Sequence, residues 1–250
     1  MSKKRNHIVW LLWLLLVAGI GGLYYANKYY LHIPVRYPGF GIKIPSAYGM
    51  HGIDVSRYQG KIDWDEVAQM EEKGLKLSFA FIKATEGADR KDPMFDRNWK
   101  ESRKAGVIRG AYHYFKPHTP SALQARYFLQ TVSLQSGDMP PVLDIEEHGG
   151  FTAPQLQKGL LNWLETVEKA TGVTPILYTN SHFYDRFLGD TFSRYPVWVA
   201  HYYEPIQPRI GRKWAFWQHN DRGHVNGIVN FTDFNIFNGD SSDLARLLVP

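Results

Sequence analysis

Eight short runs of apolar, β-branched and aromatic residues recur from His51 onwards, and this pattern constrains the fold more than any other feature of the sequence. Longer amphipathic segments separate the earlier runs, which is the order of elements expected for βα units around a parallel sheet. Eight strands are also the number that closes a barrel. The predicted strands are His51–Val55, Phe79–Lys83, Val107–Tyr114, Pro141–Ile145, Thr174–Thr179, Val197–Ala200, Trp214–Gln218 and Ile228–Phe234.

Helical patterns are clear in the first part of this region, whereas the later connections are short or irregular. Asp63 with Glu66 three residues later is a capping-box pattern, and Asp92 before Pro93 predicts a second helix start. The predicted helices are Asp63–Lys73, Asp92–Ala105, Ser121–Leu134, Thr152–Thr171 and Ser241–Leu248. We therefore expect an α/β fold in the form of an incomplete (β/α) barrel.

An uncharged apolar run from Ile8 to Tyr25 precedes this region. As a helix it would extend roughly 27 Å, which is close to the thickness of the hydrocarbon core of a bilayer. The basic cluster Lys3-Lys4-Arg5 stands before it, so the positive-inside rule places the first residues in the cytoplasm. The run is thus predicted to be a transmembrane anchor, with everything after Tyr25 outside.

The same run also fits a cleaved signal peptide, with Ile8–Ala18 as the apolar core and Gly19-Ile20-Gly21 as the cleavage site. Both alternatives export the folded domain, which is either anchored in the cytoplasmic membrane or secreted or periplasmic after cleavage. Prolines and glycines between Asn27 and Met50 predict an extended connector without regular structure. The predicted division of the chain is 1–25 for the basic tail and apolar segment, 26–48 for the connector and 49–250 for the barrel.

The composition favours an enzyme-sized globular domain. Hydrophobic residues make up 44% of the chain and charged residues 21%, which supplies a core and argues against disorder. The absence of cysteine excludes disulfides, cysteine nucleophiles and thiolate metal sites. The formal charge of +5 favours anionic envelope polymers or membrane surfaces as partners. Nucleic acid is disfavoured because the basic residues are scattered, and we expect a monomer.

The segment Pro140–Gly150 carries the clearest chemical signal. An apolar strand runs directly into Asp144 and Glu146, and a glycine turn follows. Side chains alternate along a strand, so the two carboxylates share one face, with Cα atoms roughly 6.6 Å apart. Such folds keep their active sites at the carboxyl ends of barrel strands, and close carboxylates allow an acid and an ionised neighbour to coexist.

The first and last predicted strands each contribute an aspartate, Asp54 and Asp233. These strands are neighbours in a closed barrel, so both side chains can face the centre occupied by Asp144 and Glu146. Isolated carboxylates are costly in a core. Four that converge without paired cations therefore indicate a functional site.

Several strings in order along the chain resemble the signature of the glycoside hydrolase family 25 lysozymes, the N-acetylmuramidases. They are HGIDVSRYQG, FAFIKATEG, GAYHYF, PPVLDIEE, ILYTN, VWVAHYY, FWQH and TDFN. The resemblance covers His51 to the C-terminus and implies an irregular, flattened TIM-like barrel with fewer helices than strands. It also implies hydrolysis of the β-1,4 bond between N-acetylmuramic acid and N-acetylglucosamine in peptidoglycan, without a cofactor or metal.

Residue roles follow from the same resemblance. Glu146 is expected to be the general acid and Asp144 its neighbouring carboxylate, while Asp54 and Asp233 match the flanking site aspartates. Seven residues in matching segments are expected to line the glycan groove: Tyr58, Glu86, Tyr112, Tyr178, Trp198, Trp217 and Gln218.

The mechanism and some rival functions stay open at this point. Asp144 and Glu146 rise from one strand and so approach the sugar from one side. We therefore expect the 2-acetamido group of the substrate to be the nucleophile, with net retention of configuration. An inverting mechanism stays open if Asp54 or Asp233 holds a water on the other side of the sugar. A non-catalytic glycan-binding barrel has no physical need for an unpaired acidic cluster, whereas a chitinase-like hydrolase stays chemically close. A metal-dependent deacetylase is disfavoured because no pair of His residues stands at i, i+4 with a Glu beside it. A serine hydrolase is disfavoured because the sequence contains no Gly-x-Ser-x-Gly motif.

Overall fold

The computed structural model describes residues 2–29 and 33–250. Within these residues, eight strands follow one another around a closed barrel, as the sequence predicts. Their bounds are β1 (Met50–Val55), β2 (Leu75–Glu86), β3 (Ile108–Tyr114), β4 (Val142–Asp144), β5 (Ile176–Asn180), β6 (Val197–Ala200), β7 (Phe216–Gly223) and β8 (Thr232–Phe237). Pairing of β1 with both β2 and β8 closes the sheet on itself.

One strand runs against the others. Strands β1 to β7 are parallel to their neighbours, whereas β8 is antiparallel to both β7 and β1. The amino end of β8 therefore lies beside the carboxyl ends of the other seven strands. This reversal brings Asp233 opposite Asp54 in the β8–β1 register.

Alternation along the strands separates the interior of the barrel from its outer layer. Inward-facing rings such as Phe79, Phe81 and Phe216 pack on one another, and Phe81 stacks on Trp198 with ring centroids 4.2 Å apart. Outward-facing residues such as Ile82 and Leu143 belong to a second, larger core beneath the helices. The interior is thus filled with side chains, and open space remains at the carboxyl ends of the strands.

In the described residues the outer layer contains six helices, and five of them correspond, in the same order, to the five predicted from the sequence. They are α2 (Trp64–Gln69), α3 (Phe95–Lys104), α4 (Ser121–Thr131), α5 (Ala153–Thr171), α6 (Ser181–Phe183) and α7 (Ser241–Ala245), after an N-terminal helix α1 (Ser2–Tyr29). Helix α5 begins at a capping box of Thr152 and Gln155 and ends where Gly172 adopts a φ of 72°. The short α6 was not predicted and leads into a π-helical turn, Tyr184–Leu188.

Several element ends differ from the prediction for local reasons. Helix α2 is shorter because Glu71–Glu72 pairs with the start of β2 as a two-residue strand. Helix α3 begins at Phe95, because the Asp92 carboxylate accepts hydrogen bonds from the backbone N–H groups of Arg57 and Met94 instead of capping a helix at Pro93. The last strand starts at Thr232, since a turn closed by Ile228 N–H and Val225 C=O occupies part of the predicted range.

The prediction of a connector without regular structure is wrong for part of its range. Val35–Tyr37 and Ile42–Ile44 form a two-stranded antiparallel unit, which we call the N-terminal hairpin. Its Phe40, Ile42 and Ile44 are buried in the outer core. Residues 30–32 of the predicted connector lie outside the described residues. The folded unit therefore includes the hairpin and begins before residue 49.

The N-terminal hairpin packs over the outer face of β7 and β8. Phe40 packs edge-on against Phe234, with ring centroids 5.3 Å apart, and its carbonyl accepts a hydrogen bond from His224 N–H at 2.9 Å. Helices cover the outer faces of the earlier strands, but the described chain between β6 and β8 contains none. The hairpin supplies apolar side chains where that layer would otherwise be open.

Helix α1 contains the apolar segment singled out in the sequence. Its window Val9–Ala26 spans 18 residues with a mean hydropathy of 1.9, and none of it is buried within the structure. A helix of this length and composition is long enough to cross a bilayer.

Candidate active site

The carboxyl ends of the parallel strands surround a cleft of about 250 Å³. All four carboxylates that the sequence predicts to be catalytic line it: Asp54, Asp144, Glu146 and Asp233. Three lie at or just beyond the ends of β1 and β4, and the fourth lies near the start of the reversed strand β8. The topology thus gathers residues that are far apart in sequence at one end of the barrel.

Asp144 and Glu146 form a close pair. Asp144 ends β4 with its side chain inward and buried, while Leu143 and Ile145 on either side face the outer core. The two carboxyl groups lie within hydrogen-bonding distance of each other. Burial, followed by the charge of Glu146, raises the pKa of Asp144 well above its ordinary value.

The pKa of Glu146 is also raised, first by burial of its carboxyl group in the cleft, although the residue as a whole is more exposed than Asp144. Its hydrogen bond with Asp144 and the charge of Lys83 act in the opposite direction. The pair therefore retains a proton at pH values where an isolated carboxyl group would have lost it.

Asp54 and Asp233 form the second pair. They face each other in the β1–β8 register and are hydrogen-bonded through their side chains. Burial, followed by the charge of Asp233, raises the pKa of Asp54 well above its ordinary range. Burial, followed by the charge of Asp221, raises the pKa of Asp233 to about 7. The Asp54–Asp233 pair can therefore hold a proton near neutral pH.

A polar network fixes the orientation of Asp54. Its Oδ2 atom accepts hydrogen bonds of 2.8 Å from both Gln218 Nε2 and Asn235 Nδ2. Gln218 Oε1 in turn accepts from the hydroxyls of Tyr178 and Tyr202, at 2.7 and 2.8 Å. Trp198 Nε1 donates to Asn235 Oδ1 at 2.8 Å. This network holds Oδ2 of Asp54 in place. The rest of the carboxyl group faces Asp233.

Five of the seven residues predicted to line the groove do so: Tyr58, Tyr112, Tyr178, Trp198 and Gln218. Their positions differ in kind. Trp198 and Tyr178 are almost completely buried and form the floor, whereas Tyr58 is 68% exposed on the rim. Tyr58 therefore offers a flat ring face to a sugar, and the floor residues support the carboxylates.

Trp217 and Glu86 do not line the cleft, so their predicted placement is wrong. Trp217 neighbours Gln218 on β7 and faces the opposite side of the sheet, where it is fully buried in the outer core. Glu86 lies beside the cleft, where its carboxylate binds Lys83 Nζ at 2.8 Å and Arg90 at 2.9 Å. Glu86 contacts the site only indirectly, through its ion pair with the cleft residue Lys83.

The structure adds cleft residues that were not predicted to be part of the site. Lys83 follows Phe79 and Phe81 on the inward face of β2, and its Nζ atom lies 4.8 Å from the ring centroid of Tyr114. Tyr202 completes the opposite rim. Lys83 could have been identified as a cleft residue from the sequence, because it continues the alternation of inward-facing residues on β2. Tyr202 could not, because its hydrogen bond to Gln218 depends on the fold.

Within residues 2–29 and 33–250, no group of three or more His, Cys, Asp or Glu side chains is arranged to hold a metal ion.

The raised pKa of Asp233 predicts an effect on stability that depends on pH. A carboxyl group whose pKa rises on folding stabilises the fold at low pH, and this contribution is lost as the pH rises through the folded-state value. For Asp233, that window lies between its ordinary value of 3.8 and about 7. We expect Asp233→Asn to raise the free energy of unfolding at pH 8, relative to the native chain, by up to about 4 kcal/mol. Below pH 4 the same substitution should change the free energy of unfolding little. Urea unfolding across this range measures the difference, with exposed Asp185→Asn as control; a difference that does not vary with pH would contradict the assignment.

The family model described as glycosyl hydrolases family 25 matches residues 53–228. This range contains Asp54, Asp144 and Glu146, and Asp233 lies just beyond it. YegX of Escherichia coli K12, an uncharacterized protein, is 51% identical over 216 residues, which is 86% of this chain and 79% of that protein. Lysozyme M1 of Streptomyces globisporus is 35% identical over 214 residues, which is 80% of this chain and 71% of that protein.

Solved structures show the same relationship. A family 25 glycosyl hydrolase from Bacillus anthracis matches with a TM-score of 0.74 and 30% identity, covering 86% of this chain and 97% of that chain. A bacterial lysozyme from Streptomyces coelicolor matches with a TM-score of 0.72 and 33% identity, covering 81% of this chain and 98% of that chain. The fold, the matched family model and these relatives agree, and the chain is a member of glycosyl hydrolases family 25.

Proposed function

We propose that this protein is a lysozyme-type muramidase that hydrolyses the β-1,4 bond between N-acetylmuramic acid and N-acetylglucosamine in peptidoglycan. Membership of family 25 and the relatives named as lysozymes support this substrate. The observation that carries the chemistry is the Asp144–Glu146 pair. One carboxyl group is buried at the floor, and the other stands next to it at the mouth of the cleft.

In the first step, Glu146 gives its proton to the glycosidic oxygen as the bond from C1 to that oxygen breaks. The carbonyl oxygen of the 2-acetamido group forms a bond to C1, so that a cyclic oxazolinium intermediate results. Asp144 Oδ1 is buried and has no hydrogen-bond partner in the described residues. That oxygen is available to accept the acetamido N–H and to stabilise the positive charge that develops there.

In the second step, water attacks C1 and the bond from C1 to the acetamido oxygen breaks. Glu146, now a carboxylate, takes a proton from this water and returns to its starting state. Two inversions at C1 give net retention. Asp54 and Asp233 face the same cleft, and we assign them the positioning of sugar hydroxyls and the electrostatic support of the charged intermediate.

Digestion of purified sacculi, with mass spectrometry of the products, tests the proposed activity. We expect reducing ends on N-acetylmuramic acid, and proton NMR of the first products should show the β-anomer before mutarotation. Chitin oligomers serve as the matched substrate without the lactyl group. Initial formation of the α-anomer would contradict the acetamido mechanism. Equal cleavage of chitin would favour a chitinase-like hydrolase, and binding without cleavage would favour a glycan-binding barrel.

We further propose that helix α1 anchors the protein in the cytoplasmic membrane and that the barrel, including the N-terminal hairpin, works outside as a monomer. The exposed apolar window Val9–Ala26 supports an anchor, and a peptidoglycan substrate requires an extracytoplasmic domain. We expect the full chain to stay with membranes after alkaline carbonate extraction and to be cut by protease added outside. A soluble mature protein that begins near Gly22 would instead identify a cleaved signal peptide.

A further inference from the structure

The loop after β6 carries an exposed aromatic ring on an unfavourable backbone conformation. Among the described residues, only Tyr203 and Lys73 combine a side chain with a positive φ, at 60° and 52°. Steric contact between a side chain and its own backbone disfavours this conformation, so a bulky residue there points to a functional role. Tyr203 is also 62% exposed, so burial of its ring within the chain does not account for the conformation.

Neighbouring contacts fix this loop in place. The Tyr203 backbone N–H donates a hydrogen bond to the His219 carbonyl at 3.0 Å. The carboxylate of the next residue, Glu204, binds His201 at 3.1 Å and Arg209 at 3.0 Å. The Tyr203 ring is therefore presented to solvent from a fixed backbone.

Asp221 on β7 holds the hydroxyl end of this ring. Its Oδ1 atom accepts a hydrogen bond from the Tyr203 hydroxyl. Within the described residues, Asp221 has no ion pair and its Oδ2 atom has no hydrogen-bond partner. A carboxylate accepts several hydrogen bonds through the lone pairs of its two oxygens. Asp221 therefore has acceptor sites left for hydroxyl groups, directly beside an exposed ring.

The Tyr203–Asp221 pair lies just outside the cleft. Tyr202 lines the cleft, and the ring centroids of Tyr202 and Tyr203 are 6.2 Å apart. Asp221 is close enough to Asp233 for its charge to raise the pKa of that residue. Tyr58, also exposed, follows β1, which is three strand spacings or roughly 14 Å from β6 along the sheet. Exposed rings therefore stand on both sides of Asp233.

We infer that Tyr203 and Asp221 form a sugar-binding subsite beside the cleft, which holds a further N-acetylglucosamine of the glycan strand that is cut. The inference rests on the proposed function. The Tyr203 ring offers a flat apolar face to the C–H groups of a pyranose, and Asp221 accepts hydrogen bonds from its hydroxyls. The acidic substituent of N-acetylmuramic acid is repelled by the charge of Asp221, which favours the neutral sugar of the repeat.

Tyr203→Gly tests this subsite, because glycine adopts a positive φ without strain. The variant is made in the full Glu146→Gln chain in detergent, so that strands are bound but not cut, and the probe is glycan strands freed of stem peptides. We expect the dissociation constant to rise roughly tenfold, while the urea midpoint of unfolding stays the same or rises. A ring with only a structural role would give a lower midpoint and unchanged binding.

Lys73→Gly is the matched control. It removes a side chain from a similar backbone conformation just before β2, at the end of the barrel away from the cleft. The dissociation constant should not change in this variant. Tyr203→Phe keeps the ring and should bind nearly as tightly as the Glu146→Gln chain, whereas Asp221→Ala should weaken binding. Chitin oligomers should show the same ratio of dissociation constants in Tyr203→Gly, because the subsite takes N-acetylglucosamine.

Several results would overturn the inference. They are unchanged binding in Tyr203→Gly, an equal rise in Lys73→Gly, equal weakening by Tyr203→Phe, and an effect confined to strands that keep their stem peptides. A rise confined to strands that contain N-acetylmuramic acid would overturn the choice of sugar. If the native chain fails to cut strands that the Glu146→Gln chain binds through Tyr203, the proposed function fails and the subsite stands. If no strand binds, both fail.

Discussion

Glu146→Gln is expected to lower kcat on purified sacculi by roughly a thousandfold or more, while the protein keeps its fold. The amide preserves the shape of the side chain but cannot give a proton to the leaving oxygen. Because the residue stands at the mouth of the cleft, its replacement removes no buried apolar contact. KM should change little, since the lost interaction is made in the transition state.

A substrate that does not need protonation separates this role from general damage to the site. An aryl glycoside with a good leaving group should lose much less kcat/KM than sacculi in Glu146→Gln, because kcat/KM reports the first step and not the second, in which Glu146 acts as base. Asp144→Asn should lose activity on both substrates, because its proposed partner is the acetamido group in either case. If Glu146→Gln cleaves sacculi at a near-native rate, or loses equal factors in kcat/KM on the two substrates, Glu146 is not the general acid.

Deletion of residues 2–46 is expected to unfold the barrel at room temperature, whereas deletion of residues 2–30 should leave it folded and active. The longer deletion removes Phe40, Ile42 and Ile44, which are all buried in the outer core. Each such side chain contributes about 1.5–3 kcal/mol by burial, and their loss also exposes the apolar residues beneath them. The sum is comparable to the whole stability of a typical domain, about 5–15 kcal/mol.

Circular dichroism and urea unfolding of the two truncated proteins measure this difference. Both lack helix α1, so that helix cannot account for a contrast between them. Phe40→Ala in the shorter deletion gives a graded version of the test and should cost about 3–5 kcal/mol. Equal stability of the two truncations would show that the N-terminal hairpin is dispensable, and loss of folding in the shorter one would mean that residues 2–30 support the barrel.

Much of the barrel and the convergence of its carboxylates can be predicted from the sequence, because both depend on short-range patterns. The alternation that brings Asp144 and Glu146 to one face is a property of any strand. The meeting of Asp54 with Asp233 needs the barrel to close, and the antiparallel direction of β8 then sets Asp233 opposite Asp54. The antiparallel direction of β8 was not predicted, yet Asp233 still reaches the cleft because it lies near the amino end of that strand.

The errors arise where one local pattern allows two structures. Trp217 and Gln218 lie in one matching string, but neighbours on a strand face opposite sides, so only one of them can reach the cleft. The alternation of inward- and outward-facing residues on β2 is interrupted between Lys83 and Thr85, where the pairing with β3 is irregular. The direction in which Glu86 points therefore cannot be read from the alternation of the earlier residues. In the N-terminal hairpin, alternation extends over only a few residues among prolines and glycines, and the uncovered face that it fills is formed by distant strands.

The β8–β1 closure also determines when the enzyme can first act during its synthesis and export. The hydrogen bond from Asn235 to Asp54 joins residues 181 positions apart, and the bond from Gln218 joins residues 164 apart. Contacts of such long sequence separation form late in folding, because the intervening chain must first be ordered. A partly emerged chain would display the Asp144–Glu146 strand before Asp54 is fixed. Glycan cutting would thus await the arrival of the final strand, so that a truncated or stalled product would be harmless to the wall around it.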